Sequence, residues 1–299
     1  MATVRERTVG HQKYYYLVQT VRVGHSVRTL ERYLGKSVPP DLTTARAELE
    51  RRADSTKWYP ILDKIRGEYR SELRNTPRTV REKALEQFIV KFTYDTNRLE
   101  GSALTFHETA LLLREGVTPR NRPISDVIET RAHAALARQV FVVSGDPSLT
   151  LKRVMRWHTE LFKETKKDIA GRIRTYAVGI SNGRFSPPPA GEVPHLLRDL
   201  FSYYSREKRA THPVELAAVV HYRFESIHPF GDGNGRTGRM ILNFVLHRAG
   251  YPMIDLRAER KRRYSRAIER AQVQRDERAF VTWFLREYCL ECKHYLTVV

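Results

Sequence analysis

Cysteine is nearly absent, with two residues in 299, Cys289 and Cys292. Two cysteines cannot form a disulfide scaffold. No run of about 18 apolar residues occurs, so no membrane-spanning helix and no membrane partner are expected. The opening Met1-Ala-Thr-Val-Arg-Glu-Arg7 lacks the apolar stretch of a secretory leader, so a cytoplasmic setting is expected. Acidic residues are also scarce, 34 against 53 Lys plus Arg, for a formal charge of +19. Clustered positive charge neutralises phosphates, which raises nucleic acid as a partner. Here the basic residues are scattered rather than gathered in one tract, so solvated helix faces are the preferred reading. The short run Glu259-Arg-Lys-Arg-Arg263 is read in the same way. What is present suffices for a core: 41% of residues are hydrophobic and 29% charged, outside the range of disordered chains.

Residues 11–38 read as β. Lys13 to Val23 is rich in Tyr and Val, Ser26 to Leu34 continues the pattern, and Gly24-His25 separates them, which predicts a hairpin. A lone hairpin is marginal in water, so this appendage, 1–40, must lean on something else. From about Asp41 the apolar spacing is helical through 41–299. Val80, Ala84, Leu85, Phe88, Ile89 and Phe92 form one stripe, and Leu151, Val154, Met155, His158, Leu161 and Phe162 another. Gly101 suits a left-handed helix end, and Thr105-Phe-His-Glu108 reads as a capping box. Arg172 to Pro189 interrupts the helices, with Asn182-Gly183 as a turn signal, and a short hairpin covering a site is expected there.

The most informative stretch is His228-Pro-Phe-Gly-Asp-Gly-Asn-Gly-Arg-Thr-Gly-Arg239. Glycines let backbone N–H groups converge, and the helix that follows directs its positive dipole end at an anion. Arg236 and Arg239, three apart, fall on one face of the first turn. Asp232 would repel an anion unless a cation bridges them, which suggests Mg²⁺. His228 at the loop entrance titrates in the range of a general base. No Gly-Lys-Ser/Thr follows, which excludes a P-loop. A helix rather than a strand precedes the loop, which excludes the dinucleotide fingerprint.

At these residues the chain resembles the Fic family, whose motif reads His-x-Phe-x-Asp/Glu-Gly-Asn-Gly-Arg-x-x-Arg. The resemblance covers about 80–280. Thr96-Asn-Arg-Leu-Glu100-Gly101 resembles the family's inhibitory motif, and Gly171-Arg-Ile-Arg-Thr175 with the following prolines resembles its flap. The resemblance implies a mainly α fold: a Fic-type helical bundle with a short β-hairpin flap and the N-terminal β-hairpin appendage. It implies transfer of AMP from ATP to a Ser, Thr or Tyr hydroxyl of a target protein. His228 would be the base, Phe230 an anchor of the loop and Asp232 the Mg²⁺ ligand. Gly233, Asn234 and Gly235 would form the anion hole, Arg236 and Arg239 would hold the β- and γ-phosphates, and Thr237 and Gly238 complete the phosphate-binding turn. Val178, Gly179, Ile180 and Ser181 would be the flap edge, and Tyr264, Ser265 and Gln272 the adenine side. Glu100 would pair with Arg239 and misplace the phosphates, or position water for AMP removal. The family often has Tyr where Ser265 stands and Asn where Gln272 stands. Doc-type relatives, which phosphorylate, have Lys where Gly235 stands.

Three alternatives stay open at the level of sequence: a nucleotide-sensing nucleic-acid-binding module, a different nucleotide donor, and de-AMPylation. A homodimer is left open, and nucleic acid is not favoured. Cys289-Leu-Glu-Cys292 is half a zinc site at most and reads as buried thiols. His158 and His221 read as packed groups on helices.

Overall fold

The computed structural model describes residues 2–24, 26–142, 148–179 and 183–297. Its described residues form three strands followed by ten α-helices, and the chain divides into two compact units, Met1–Gly67 with Cys289–Val299, and Glu68–Tyr288.

In the first unit, β1 (Thr3–Val9), β2 (Gln12–Val23) and β3 (Ser26–Gly35) make an antiparallel sheet in that order. The expected hairpin is β2–β3, with Tyr16 opposite Tyr33 and Val18 opposite Glu31. Gly24 takes φ +60°, as its turn requires; His25 lies outside the described residues. β1 is an addition to the expected hairpin. The sheet leans on the start of helix α1 (Thr43–Asn75), where Ala2, Leu17, Ala45 and Leu49 are buried together and Val4, Leu30 and Leu34 pack against them. The first unit is therefore larger than a 1–40 appendage. Cys289 and Cys292 form no disulfide and are buried, and burial pushes the Cys289 thiol up to about 12, far from a reactive thiolate.

In the second unit, α2 (Arg78–Leu99), α3 (Phe106–Arg114), α4 (Ile124–Val142), α5 (Leu151–Phe162) and α6 (Val193–Glu207) surround a central pair, α7 (Pro213–Ile227) and α8 (Asn234–Arg248). That pair is buried on nearly every side, including Leu216, Val219, Val220 and Phe224 on α7 and Met240 to Leu246 on α8. Helices buried nearly all round belong at the centre of a bundle, here with polar residues such as Arg236, Arg239 and His221 among the buried ones. Pro213 opens α7, where its missing N–H costs nothing. The capping box at Thr105 forms in full, with Glu108 answering the Thr105 backbone. Helix α9 (Lys261–Gln274) follows a 3₁₀ turn at Ala258–Arg260, and α10 (Glu277–Glu291) passes from the second unit into the first. No described helix is long and apolar enough to cross a membrane.

The expected flap hairpin does not form among the described residues. Between 171 and 189 they contain no strand; Ile180, Ser181 and Asn182 lie outside the described residues. Pro187-Pro188-Pro189 removes three consecutive donors from any ladder. The segment is fastened by a side chain instead. Arg174, 3% exposed, donates to the carbonyls of Tyr176 (3.1 Å), Pro188 (2.6 Å) and His228 (2.8 Å).

Candidate active site

Helix α7 ends at Ile227, and His228 follows with φ +50°, a left-handed conformation rare for a side chain larger than glycine. The turn swings the chain back toward α8. Phe230, fully buried, stacks on His158 with ring centroids 3.8 Å apart. Asn234 binds the Phe230 backbone twice, its Oδ1 accepting from N–H and its Nδ2 donating to O, each at 2.9 Å. The Asn234 side chain is thus a staple of the loop, and only its backbone is left to an anion hole. Gly233 takes φ +74°, and a Cβ there would run into the Phe162 ring. This close packing fixes the N–H groups at the start of α8.

A cavity of about 510 Å³ opens over this helix start. His228, Asp232, Gly233, Asn234, Gly235 and Arg239 line its floor, and Tyr264, Ser265 and Gln272 of α9 line a wall with Gly179 from the flap segment. The structure therefore brings together most of the residues singled out from the sequence. Val178 does not line the cavity, and Thr237 and Gly238 are structural: Thr237 is fully buried, and a Cβ on Gly238 would collide with the Glu225 carboxyl. Tyr264 donates to or accepts from His221 Nε2 at 3.0 Å, and Gln272 Nε2 donates to Ser226 Oγ at 3.2 Å.

Burial, followed by the Arg174 cation, lowers the His228 pKa below its ordinary value. The imidazole is neutral at neutral pH, the form a base needs. Asp232 is ionised: burial would raise its carboxyl, but Lys166 and Arg236 outweigh it. Lys166 Nζ lies 2.5 Å from Asp232 Oδ2 and 3.1 Å from Glu129 Oε1.

The two arginines line adjoining pockets that share Glu100 and Asp232. Arg236 bonds to Glu129 and faces a smaller polar recess of about 160 Å³ with Glu129, Lys166 and Asp232. Arg239 turns into the main cavity. Its Nε donates to Thr96 Oγ1 at 2.6 Å and its Nη2 to Glu100 Oε1 at 2.5 Å. Glu100 is the residue that ends α2, and Gly101 follows in a left-handed conformation, φ +100°. Burial alone would raise the Glu100 carboxyl; the Arg239 and Arg236 charges more than offset it and hold it below the ordinary value. A Cβ on Gly235 would collide with Glu100 Oε1 and stand 2.7 Å from Arg239 Nη1. Glycine at 235 is what lets the pair close over the helix start.

Sequence reasoning missed Lys166, Glu129, Glu225 and the role of Arg174. Only Arg174 carried a signal, its place beside Thr175 in the flap motif. No three His, Cys, Asp or Glu among the described residues gather as a metal cage.

A Fic/DOC family profile matches residues 148–246. A Fic-domain signalling protein of Bacteroides thetaiotaomicron is 30% identical, with a TM-score of 0.69 over 79% of this chain and 97% of that one. A Fic family protein of Desulfovibrio desulfuricans is 25% identical, with a TM-score of 0.65 over 87% of this chain and 75% of that one. Protein adenylyltransferase fic-1 of Caenorhabditis elegans is 28% identical over 69% of this chain and 41% of its own length. Protein adenylyltransferase Fic of Aedes aegypti is 26% identical over 93% of this chain and 53% of its own length. The chain thus spans about half the length of the adenylyltransferases it matches.

Proposed function

Because the chain belongs to the Fic/DOC family, we propose that it transfers AMP from ATP to a Ser, Thr or Tyr hydroxyl of a target protein, with Glu100 restraining the reaction. The observation that carries this reading is the convergence, in one cavity, of a neutral histidine, a glycine-rich helix start and a buried arginine. The acceptor hydroxyl loses its proton to His228 while its oxygen forms a bond to the α-phosphorus. The bond from that phosphorus to the leaving pyrophosphate breaks. Backbone N–H groups of 233–235 and the α8 dipole meet the charge that develops. Arg239 takes the terminal phosphate once Glu100 withdraws, and Tyr264, Ser265 and Gln272 border the base.

Asp232 fits a magnesium ion carried in with the nucleotide. Its carboxylate is ionised, 40% exposed and at the cavity floor, and magnesium commonly takes one or two carboxylates plus substrate phosphates. When bound, the ion would neutralise charge on the phosphate chain. Two buried thiols outside any disulfide agree with a reducing, cytoplasmic setting.

The test is incubation of the Glu100→Gly chain with labelled ATP and cell lysate. Labelled protein bands are expected, and adding His228→Ala should reduce labelling about 10²–10⁴-fold while ATP still binds. Labelling at the same rate without His228 would refute the assigned chemistry.

A further inference from the structure

Glu100 follows the last residue of α2, so its side chain stays on Arg239 only while the backbone there is held. The final carbonyls of a helix have no partner within the helix. The carbonyl of Leu99, which closes α2, is taken by a side chain 162 residues away: Lys261 Nζ donates to it at 2.6 Å. Leu99, Glu100 and Lys261 all line the main cavity. The Leu99 carbonyl and the Glu100 N–H belong to one planar peptide unit. Fixing the oxygen therefore fixes the plane from which the Glu100 side chain departs.

The same peptide donates its N–H to Asn97 O at 3.0 Å, inside its own turn. Contacts from other elements grip the chain before and after it. One turn earlier, Arg239 Nη2 donates to Thr96 O at 3.1 Å. Beyond the turn, Asp126 at the start of α4 accepts from Ser102 Oγ at 3.1 Å and from the Ala103 N–H at 2.7 Å. Lys261, the first residue of α9, holds the peptide between these two anchors. A cation also suits the negative end of a helix dipole. Lys261 is exposed, so its removal leaves no buried charge, and water from the cavity can take its place on the carbonyl.

We propose that Lys261 is a positioning residue for the restraint: by holding the Leu99 carbonyl it keeps the Glu100 carboxylate set against Arg239. This rests on the nucleotide-transfer reading with Glu100 as its restraint, and deepens it. The tether runs from the helix whose Tyr264, Ser265 and Gln272 are assigned to the base, and it ends beside the group that occupies the place of the terminal phosphate. Without it the Leu99–Glu100 peptide turns more freely, and Glu100 spends less time on Arg239. Transfer then rises. ATP affinity does not, because the restraint acts on the alignment of the phosphates rather than on their binding.

The experiment introduces Lys261→Met and Lys261→Arg into the full chain, each alone and together with Glu100→Gly. It measures protein labelling with ATP in cell lysate, ATP affinity, and amide hydrogen exchange at Glu100, Gly101 and Ser102. Lys261→Met alone should raise labelling roughly two- to fivefold, the scale of one cation at an exposed helix end, with ATP affinity unchanged. Lys261→Arg keeps a donor and should stay at the parent rate. Combined with Glu100→Gly, neither change should matter, because no carboxylate is left to position. A lysine that bound ATP would behave differently: its loss would weaken ATP binding and lower labelling in both backgrounds. A lysine that merely supported the helix would lower Tm without raising labelling. Either outcome overturns the proposal and leaves the transfer reading intact, as does an equal rise in the Glu100→Gly background. The three amides should exchange faster in Lys261→Met than in Lys261→Arg, and equal exchange overturns the tether whether or not transfer is seen. If Glu100→Gly labels nothing although ATP binds, the transfer reading fails, and the restraint by Lys261 fails with it.

Discussion

Two arginine–glutamate pairs meet on α8 only three residues apart, and they are held very differently. Arg236 and Glu129 have side chains 6% and 10% exposed, with Lys166 3.1 Å from the same glutamate. Arg239 is as deeply buried, at 3%, but its partner Glu100 is 33% exposed. Glu129 sits within a helix, whereas Glu100 hangs at a helix end before a left-handed glycine. An enclosed pair cannot part without leaving a charge in a low dielectric. A pair with one member at a cavity mouth can part when water or phosphate takes the vacated place. The same ionic chemistry therefore gives Arg236 a partner inside a helix and Arg239 a partner at a cavity mouth, the arrangement that the proposed restraint by Glu100 needs.

The contrast breaks most visibly in stability. Glu129→Ala should cost about 3–5 kcal/mol, because it leaves buried Arg236 with only Asp232 at 3.6 Å and takes a carboxylate from Lys166 as well. Glu100→Gly should cost less than half of that, since the cavity lets water take the place of the lost carboxylate beside Arg239. Urea denaturation of both variants measures the difference, and equal losses would erase the distinction. The next effect concerns Asp232, which the Arg236 side holds through Lys166. Asp232→Ala should bind ATP yet lose turnover by roughly 10²-fold or more. EDTA should do the same to the parent, and undiminished turnover in EDTA would remove the metal from the reaction.

A smaller effect is expected at Glu225. Its folded-state pKa of about 8 lies above the ordinary 4.5 of a glutamate. The folded protein therefore holds that proton more tightly than the unfolded chain. The resulting stability is full below about pH 4.5 and is lost as pH rises toward 8. Glu225→Gln should gain on the parent across that window, by roughly 2–4 °C in Tm for each kcal/mol, with no further gain above it. A gap that narrows with rising pH would contradict the assignment. Weakest of all should be nucleic-acid binding. The excess charge is spread over the molecule, so affinity for DNA or RNA should vanish by physiological salt. Submicromolar binding at that salt, lost on deleting residues 1–40, would favour a binding module instead.

Much of this contrast was legible before any coordinates, and the rest was hidden for physical reasons. The loop from His228 to Arg239 carries its chemistry in consecutive residues, so spacing alone exposed it. Glu100 was legible because Thr96-Asn-Arg-Leu-Glu100-Gly101 resembles the Fic inhibitory motif, and Gly101 marks the end of its helix. The partners of Arg236 and Asp232 were not, because Glu129 and Lys166 arrive from 107 and 66 residues away, and a single Glu or Lys on a helix looks like surface. Arg174 was read only as part of the flap motif, with no sign that it is buried and spends its donors on carbonyls. β1 escaped notice because Thr3–Val9 is charged and mostly exposed, without the alternation that marks a half-buried strand. The expected flap hairpin misled in the opposite direction: a turn signal was present, but the described residues between 171 and 189 form no strand, and Pro187, Pro188 and Pro189 offer a ladder no donor.

The central claim is that Glu100 restrains transfer by holding Arg239. It is tested most directly by a double-variant cycle on the rate of protein labelling with ATP. Glu100→Gly should raise turnover roughly 10²-fold, the scale expected when a misaligned phosphate becomes aligned, with little change in ATP affinity. Combining it with Arg239→Ala should lose most of that gain, because the released partner is gone. Unchanged labelling in Glu100→Gly, with ATP binding confirmed, would contradict the account, as would a gain that survives without Arg239.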